Sequence, residues 1–358
     1  GSDFIKFANL ERTKYLNLPR DLTGQMDPHR PYVDEIILRC KKCSSKMNRV
    51  KEVADAWFDS GAMPFASVHF PFTLAQNQKS KIPALLADRK NQNSGSSFKK
   101  LDYPADYIVE GIDQTRGWFY TLLSIAVLLD QEQSYKNVIS LGLILDKNGQ
   151  KMSKSKGNDV NPWEIIEKYG VDVVRWYFYT ANSPGEPKRF DEADLIKISR
   201  QFFMIAYNSF AFFNTYGAKS NMPITYNLKP RHFLDKWILA RLYQTVSIST
   251  ENLNEYEIGN AAKSIESFLN DLSRWYIRRS RRRLQKSDNK DDYNNASNTL
   301  YICLLSLAKM IAPFAPFFAE SLYKSLVQDQ KSSVHLEDWP NIDKNLSDST
   351  LIEQMIDI

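Results

Sequence analysis

The octapeptide Lys-Met-Ser-Lys-Ser-Lys-Gly-Asn occupies residues 151–158 and decides how the first half of the chain folds. Before it, an apolar run at 138–145 predicts a buried strand that ends in the turn sequence Asp-Lys-Asn-Gly at 146–149. After it, Asn161, Pro162 and Glu164 predict the start of a helix, because they supply a cap, a first-turn proline and an acid at the positive dipole end. The octapeptide is therefore predicted to be a loop between a strand and a helix.

The segments on either side extend this pattern. Residues 105–109 predict a buried strand and residues 114–129 a helix, an alternation typical of a parallel sheet with crossover helices. After Ser-Pro-Gly-Glu-Pro at 183–187 the sequence changes to long amphipathic stretches. These predict helices at 192–216, 232–252, 258–285 and 293–311, with a last one reaching about residue 327. The predicted fold class is α/β, followed by an all-α helix bundle.

The length of 358 residues exceeds what one hydrophobic core usually serves, so we expect two domains. The predicted boundaries are 1–183 for the α/β domain, 184–345 for the helical domain and 346–358 for a tail. A stretch at about 76–100, rich in Asn, Ser, Lys and Gln, predicts a surface insertion.

The composition is 43% hydrophobic and 25% charged, which is typical of a globular protein and not of a disordered or fibrous one. No apolar run approaches the roughly 20 residues of a membrane span, and the N-terminus has no targeting pattern, so we expect a cytoplasmic protein. The opening Gly1-Ser2 resembles a scar of tag removal, and we expect the natural chain to begin elsewhere.

The residues of the 151–158 loop indicate a phosphate ligand. Three lysines and two hydroxyls follow a predicted strand end, which is where α/β sheets bind ligands. A mobile ammonium can follow the charge that develops on a triphosphate leaving group, so it contributes more in the transition state than in the ground state. Lys154 is the first candidate for this role, together with Lys151. The alternative is a solvated basic turn.

The string Lys-Met-Ser-Lys-Ser, followed by Lys-Gly-Asn, resembles the second signature of the class I aminoacyl-tRNA synthetases, which adenylate an amino acid and pass it to tRNA. Residues 57–61, Trp-Phe-Asp-Ser-Gly, and 110–119, Glu-Gly-Ile-Asp-Gln-Thr-Arg-Gly-Trp-Phe, are similar to segments of the isoleucine enzymes. The resemblance implies the second half of a Rossmann-like nucleotide-binding fold and an anticodon-binding bundle. It also implies isoleucine, ATP with Mg²⁺ and tRNA(Ile) as the partners of a ligase. A valine or methionine enzyme is the alternative within the class.

The resemblance also implies site residues. Those that contact the nucleotide or adenylate are Glu110, Gly111, Asp113, Gln114, Ser153 and Lys154, and those of the substrate pocket are Trp57, Asp59 and Trp118. From the sequence pattern alone, Glu110 closes a predicted strand, so its carboxylate should emerge at the carboxyl edge of the sheet. An ordinary core role for the tryptophans and a helix N-terminal role for the acids are the alternatives.

Six arginines between Arg274 and Arg283, with no acid among them, indicate contacts to a polyanion. The neighbouring Trp275 and Tyr276 could stack on bases or pack in a core. The segment resembles the anticodon-binding bundle of the isoleucine enzymes. The predicted tRNA-binding residues are Arg278, Arg279, Arg281, Arg282 and Arg283.

The three cysteines do not form a disulfide framework. Cys40 and Cys43 have the spacing of half a zinc ribbon, and no second pair exists in the chain, so zinc is predicted only as an incomplete site. Cys303 lies in an apolar helical pattern, which predicts a buried free thiol.

Two parts of the family pattern are missing. The His-Ile-Gly-His signature is absent, since the four histidines are scattered, and the editing insertion has no room. We therefore expect a fragment that adenylates isoleucine weakly or not at all by itself, with complementation by the missing N-terminal half. The alternative of a different class is a tRNA-binding module without independent catalysis.

Overall fold

The computed structural model describes residues 34, 37–40, 42–51, 56–68, 70, 103–153, 157–217, 230–327, 331–341 and 343–355. The insertion predicted at about 76–100 lies outside these residues, as does Lys154. The chain forms two compact units, residues 1–108 with 113–138 and residues 109–112 with 139–358. In the described segments no helix is long and apolar enough to cross a membrane.

The first unit contains a short hairpin and two packed helices. Strands β1 (Leu38–Arg39) and β2 (Lys46–Met47) pair antiparallel. Helix α1 (Ala56–Ala66) packs on α2 (Trp118–Leu128) so closely that a Cβ on Gly61 would lie 2.7 Å from the carbonyl oxygen of Thr121. Only glycine permits this approach. The buried core of this unit comprises Phe65, Phe119, Leu122, Ile125 and Ala126.

Four strands flank the predicted loop. Strand β3 (Ala105–Gly111) pairs with β4 (Tyr135–Leu141), and β5 (Ile144–Leu145) pairs parallel with β6 (Lys188–Arg189). A strand is present at 105–109 as predicted, but it is not buried, because each of these residues is partly or fully exposed.

The single buried strand predicted at 138–145 is wrong in two respects. It is divided into β4 and β5 at Gly142, whose N–H donates to the carbonyl of Pro184 at 2.9 Å. A Cβ on Gly142 would lie 2.3 Å from the carbonyl oxygen of Glu186, so the chain bends here against the 184–187 segment. The strand is also not buried, because Val138 is 44% exposed.

Helix α3 (Pro162–Tyr169) begins where the sequence predicts. The side chain of Asn161 accepts a hydrogen bond from the N–H of Trp163 at 3.1 Å, which caps the helix. Gly170, with φ of +84°, ends α3 and leads into α4 (Val171–Thr180). A capped helix start after the loop is therefore confirmed.

The rest of the second unit is helical. Its longer helices are α5 (Glu192–Ile198), α6 (Met204–Phe212), α7 (Phe233–Asn254), α8 (Ile258–Asn270), α9 (Arg278–Gln285), α10 (Lys290–Ile311) and α11 (Pro316–Val327). Three π-helical segments continue four of these helices. Ser199–Phe203 joins α5 to α6, Phe213–Gly217 extends α6, and Asp271–Ile277 joins α8 to α9. The five predicted helical stretches match these elements within a few residues.

The core of the second unit crosses the domain boundary predicted at residue 183. Trp176 of α4 is fully buried and stacks on Phe202, with ring centroids 3.8 Å apart. Arg175 donates hydrogen bonds to the carbonyls of Phe314 and Pro313, each at 2.9 Å. Helix α4 is therefore part of the same compact unit as the bundle.

The predicted tail at 346–358 contains helix α12 (Ser349–Gln354), capped by Asp348, whose carboxylate accepts from the N–H of Leu351 at 2.9 Å. Ile352 is buried in the core of the second unit. This part of the tail is docked on the bundle.

Candidate functional site

The lysine loop, residues 151–158, begins beside an anchored aspartate. The carboxylate of Asp146 accepts hydrogen bonds from the backbone N–H groups of Asn148 at 2.9 Å and Gln150 at 2.8 Å. Its other oxygen accepts from the side-chain amide of Asn158 at 2.9 Å. These donors, the Asn158 amide first, hold the pKa of Asp146 below its ordinary value, although burial opposes them. Asp146 is thus a fixed anion at the base of the loop.

Asn158 joins the two ends of the lysine loop. Its Oδ1 accepts from the N–H of Ser153 at 2.9 Å, and its Nδ2 donates to the carbonyl of Lys151 at 3.3 Å as well as to Asp146. Gly157 precedes it with φ of +65°, a left-handed conformation that favours glycine. The sequence pattern assigned no role to the pair of Asp146 and Asn158. Its only signal was an Asx turn before the motif and an asparagine at its end.

Of the loop residues predicted to act in catalysis or to contact the nucleotide, the structure describes Lys151 and Ser153. Lys151 is exposed, and Ser153 is half-buried at the joined base of the loop. Lys154 lies outside the described residues, so its role stays a prediction.

Glu110 and Gly111 are the last two residues of β3, as the strand prediction implies, and Glu110 is exposed. A 3-10 turn, Ile112–Arg116, follows directly and changes the direction of the chain before α2. The carboxylate of Glu110 is therefore accessible to a polar ligand at the end of the strand.

Asp113 and Gln114 lie in the 3-10 turn that precedes α2, in the first unit. The amide nitrogen of Gln114 donates to Asp113 at 2.9 Å, and its oxygen accepts from the N–H of Trp118 at 2.8 Å. A Cβ on Gly117 would lie 2.5 Å from that oxygen, so the glycine makes room for the bond. The side chain of Gln114 thus binds the first N–H of α2, a helix N-terminal role that the sequence had suggested for Glu110 and Asp113 instead. Asp113 is exposed.

The two predicted pocket tryptophans come together at the packed ends of α1 and α2. The indole N–H of Trp118 donates to the carbonyl of Ser60 at 3.1 Å, which fixes its ring. Trp57 lies within 3.5 Å of the Cβ position of Gly117 and is 45% exposed. An ordinary core role therefore does not describe Trp57. Asp59, two residues further along α1, is also exposed.

The arginine segment forms an exposed basic face on α9. The exposed arginines of α9 are Arg278, Arg279, Arg281 and Arg282, and Arg274, which precedes the helix, is exposed as well. The guanidinium of Arg279 lies over the ring of Trp275, 5.2 Å from its centroid. This contact holds a cation at the surface beside an aromatic plane.

Arg283 differs from these four residues. Its guanidinium donates to Asp235 and Asp292, and its side chain is only 11% exposed. Burial alone would lower the pKa of Arg283, but the two carboxylates outweigh burial and raise it. Tyr276 is fully buried and donates from its hydroxyl to Asp235 at 2.8 Å, so it packs in the core and does not stack on a base. Arg283 is paired inside the bundle, so the prediction of tRNA binding is kept only for the four exposed arginines of α9.

Cys40 and Cys43 lie in a tight turn at the end of the β1–β2 hairpin. The N–H of Ser44 donates to the carbonyl of Cys40 at 2.9 Å, and the Cys43 sulfur lies 3.0 Å from the Ser45 hydroxyl oxygen. That hydroxyl lowers the pKa of Cys43. A structural zinc needs four ligands, and the described part of the chain groups no three candidate metal ligands, so zinc stays a prediction. Cys303 is buried, as predicted.

Two family models match the chain. The model for tRNA synthetases class I (I, L, M and V) matches residues 20–89 and 86–190. The model for the anticodon-binding domain of tRNA ligase matches residues 235–358. The first match contains β3, the lysine loop and α4, and the second contains the basic face of α9.

Curated relatives match over nearly the whole chain. The isoleucine–tRNA ligase of Dehalococcoides mccartyi (strain CBDB1) is 44% identical over 93% of the chain, which spans 32% of that protein. The isoleucine–tRNA ligase of Thermus thermophilus is 42% identical over 94% of the chain and 31% of that protein. The chain thus spans about a third of the length of these relatives.

Solved structures share the fold. A LeuRS from Agrobacterium radiobacter K84, in a ternary complex with tRNA and LeuAMS, covers 87% of the chain with a TM-score of 0.60 and 18% identity; the match spans 36% of that protein. A methionyl-tRNA synthetase from Mycobacterium tuberculosis with methionyl-adenylate covers 68% with a TM-score of 0.56 and 22% identity, over 48% of that protein. These likenesses confirm the predicted fold class, the second half of a Rossmann-like fold followed by a helix bundle.

Proposed function

Since the chain belongs to the class I aminoacyl-tRNA synthetases, we propose that it forms part of an isoleucine–tRNA ligase, which makes isoleucyl-adenylate from ATP and transfers isoleucine to tRNA(Ile). The observation that carries this proposal is the lysine loop, closed at its base by Asn158 between a strand and a capped helix. The identity to isoleucine–tRNA ligases along 93% of the chain supports isoleucine over valine or methionine.

In the first reaction step, a carboxylate oxygen of isoleucine attacks the α-phosphorus of ATP, and the bond to the bridging oxygen of the leaving pyrophosphate breaks. Negative charge grows on the pyrophosphate as this bond lengthens. Lys154 follows that charge with its ammonium group, and Lys151 adds positive charge at the base of the loop. Mg²⁺ that arrives with ATP neutralises part of the phosphate charge.

The proposal assigns a role towards isoleucine or its adenylate to each predicted residue separately. Trp57 and Trp118 wall the apolar side-chain pocket, and an exposed ring such as Trp57 is available for this purpose. The carboxylate of Glu110 attracts the ammonium group of the amino acid. Asp113 and Gln114 hold the adenylate, and Gly111 allows its close approach. We assign Asp59, which is exposed two residues after Trp57, to the rim of this pocket.

The basic face of α9 binds tRNA. Four exposed guanidinium groups, those of Arg278, Arg279, Arg281 and Arg282, contact backbone phosphates, and contacts of this kind weaken as salt rises. Arg283 acts inside the bundle, where it fixes the position of α9 against Asp235.

Three further assignments rest on the same proposal. Cys40 and Cys43 supply two thiolates of a zinc site whose other ligands come from another part of the ligase. The ligase works in the cytoplasm, where tRNA is charged. The chain is complemented by a segment that carries the histidine signature.

A second function is favoured by the basic face of α9. In this alternative the chain is a tRNA-binding module and its nucleotide half is a scaffold. Thermal shift separates the two functions, because a ligand that binds the native state raises the melting temperature. Stabilisation by an isoleucyl-adenylate analogue, lost in Glu110→Ala, supports the ligase. Stabilisation by tRNA alone supports the module.

ATP–pyrophosphate exchange tests the proposed activity directly. We expect the chain alone to exchange weakly or not at all, and the full-length ligase to prefer isoleucine over valine and methionine. Lys154→Ala should lower exchange in the ligase, whereas Lys147→Ala, an exposed lysine in the preceding turn, should not. Equal rates with the three amino acids would reject isoleucine specificity.

A further inference from the structure

The turn before the lysine loop is a rigid support. The N–H of Asp146 donates to the carbonyl of Gln150 at 2.9 Å, and its carboxylate accepts two backbone N–H groups of the same turn. Gly149 completes the turn with φ of +77°. Asp146 is only 9% exposed. One carboxylate oxygen of Asp146 accepts from the turn, and the other accepts from the side-chain amide of Asn158.

Asn158 connects this turn to the start of the lysine loop by hydrogen bonds. Its side chain touches the loop's first residue through the carbonyl of Lys151, its third through the N–H of Ser153, and the turn through Asp146. Only residues 154–157 remain between the joined positions. These bonds restrict the backbone at Lys151 and Ser153, so less conformational entropy is lost when these two residues bind a ligand.

From these contacts we propose that Asp146 and Asn158 form a clamp that positions the lysine loop for adenylate formation. In this proposal the two residues are positioning residues, and the clamp acts through Lys151 and Ser153, whose backbone groups Asn158 contacts. The inference rests on the proposed function for its catalytic consequence. Its structural part, the restraint of Ser153 by Asn158, stands independently.

The clamp requires that the side-chain amide of Asn158 donates and that the carboxylate of Asp146 accepts. Asp146→Asn turns an amide nitrogen towards the amide nitrogen of Asn158, because the other atom must still accept from Asn148 and Gln150. Asn158→Asp places two carboxylates face to face. The double variant Asp146→Asn with Asn158→Asp restores a donor facing an acceptor, and the second oxygen of the introduced carboxylate can still accept from Ser153. The longer bond to the carbonyl of Lys151 is lost, because a carboxylate cannot donate, so the rescue is partial. A side chain that only filled space would show no such rescue.

The first measurement is hydrogen exchange of the Ser153 amide in the chain itself, with tryptic cleavage after Lys154 and Lys156 as a second readout. We expect Asn158→Ala to raise Ser153 exchange about tenfold, as for the loss of one hydrogen bond, and to speed cleavage. Asn148→Ala is the matched control, because this exposed asparagine of the same turn contributes only its backbone N–H. Unchanged Ser153 exchange in Asn158→Ala would overturn the clamp.

The second measurement is pyrophosphate exchange by the full-length ligase. We expect Asn158→Ala and Asp146→Asn each to lower kcat by about tenfold or more while the KM for isoleucine stays within about twofold. The swapped double variant should regain part of the kcat lost in Asp146→Asn. A loss of kcat without rescue, or an equal rise in KM, would overturn the positioning role. If the wild-type ligase lacked isoleucine-dependent exchange, the proposed function would fail, whereas Ser153 exchange would report on the clamp separately.

Discussion

The guanidinium of Arg283 donates to both carboxylate oxygens of Asp235, each at 2.8 Å, in a two-pronged ion pair inside the helix bundle. Asp235 is fully buried, and it also accepts a hydrogen bond from the hydroxyl of Tyr276. Asp292 closes the group by binding the same guanidinium. The pair therefore ties α9 to the starts of α7 and α10 and places the exposed arginines of α9 on a fixed frame.

Removal of Arg283 is predicted to destabilise the bundle strongly. Arg283→Ala leaves Asp235 as an unpaired buried charge, which costs about 3–5 kcal/mol in comparable buried pairs. Arg282→Ala, the neighbouring exposed arginine, should change the free energy of unfolding by less than about 0.5 kcal/mol. Urea unfolding followed by circular dichroism measures both. Similar stabilities for the two variants would show that the internal ion pair does not support the fold.

The exposed arginines are predicted to control the salt dependence of tRNA binding. Each phosphate contact releases counterions, so Arg281→Ala should reduce the slope of log Kd against log salt concentration by about one. Lys344→Ala removes the same charge from an exposed position away from α9 and is the control. Filter binding at several salt concentrations gives the slopes. If Arg281→Ala left the slope of the wild type, that residue would not contact phosphate.

The helices could be predicted because their signals are local. The amphipathic pattern at 192–216 corresponds to a continuous helical segment from Glu192 to Gly217, and Asn161 caps its helix with its own side chain. The division between β4 and β5 could not be predicted in this way. It depends on Gly142 meeting the carbonyl of Glu186, which is remote in the sequence.

Candidate site residues could be predicted where they belong to a sequence motif. They could not be predicted where their role depends on a hydrogen-bond partner that is distant in the sequence. Arg283 has the same sequence surroundings as Arg282, yet its partner Asp235 lies 48 positions earlier. Asp146 and Asn158 are 12 positions apart, and no periodicity links an Asx turn to the end of a loop. Only the tertiary contacts of these polar side chains distinguish residues that support the fold, such as Arg283, from exposed candidates such as Arg282.

The exposed ring of Trp57 is predicted to contribute to binding and little to folding. Trp57→Ala should change the free energy of unfolding by less than about 1 kcal/mol, because the ring is already 45% exposed. It should nevertheless abolish the thermal stabilisation by an isoleucyl-adenylate analogue. Phe58→Ala, an adjacent residue with 52% exposure, is the matched control and should keep that stabilisation. Equal loss in both variants would argue against a specific pocket wall.

A pH-dependent effect is predicted at Asp172, where α4 meets α11. Burial raises the pKa of Asp172. The N–H groups of Phe318 and Phe317 and the charge of Arg175 lower this pKa, but burial has the larger effect. Because the folded-state pKa lies above the unfolded value, protonation of Asp172 stabilises the protein at low pH, and this contribution is lost as pH rises through the folded pKa.

Asp172→Asn is neutral at every pH and can keep the acceptor that binds the N–H of Phe318 at 2.6 Å. Its stability relative to the wild type should therefore increase as pH rises from below about 4 towards 7, since only the wild type acquires a buried charge. Asp288→Asn, at a position that is not buried, should show no such trend. Urea unfolding of the three proteins across this range measures the difference. A constant offset between Asp172→Asn and wild type would mean that Asp172 titrates alike in the folded and unfolded states, because only unequal proton binding makes their stabilities diverge.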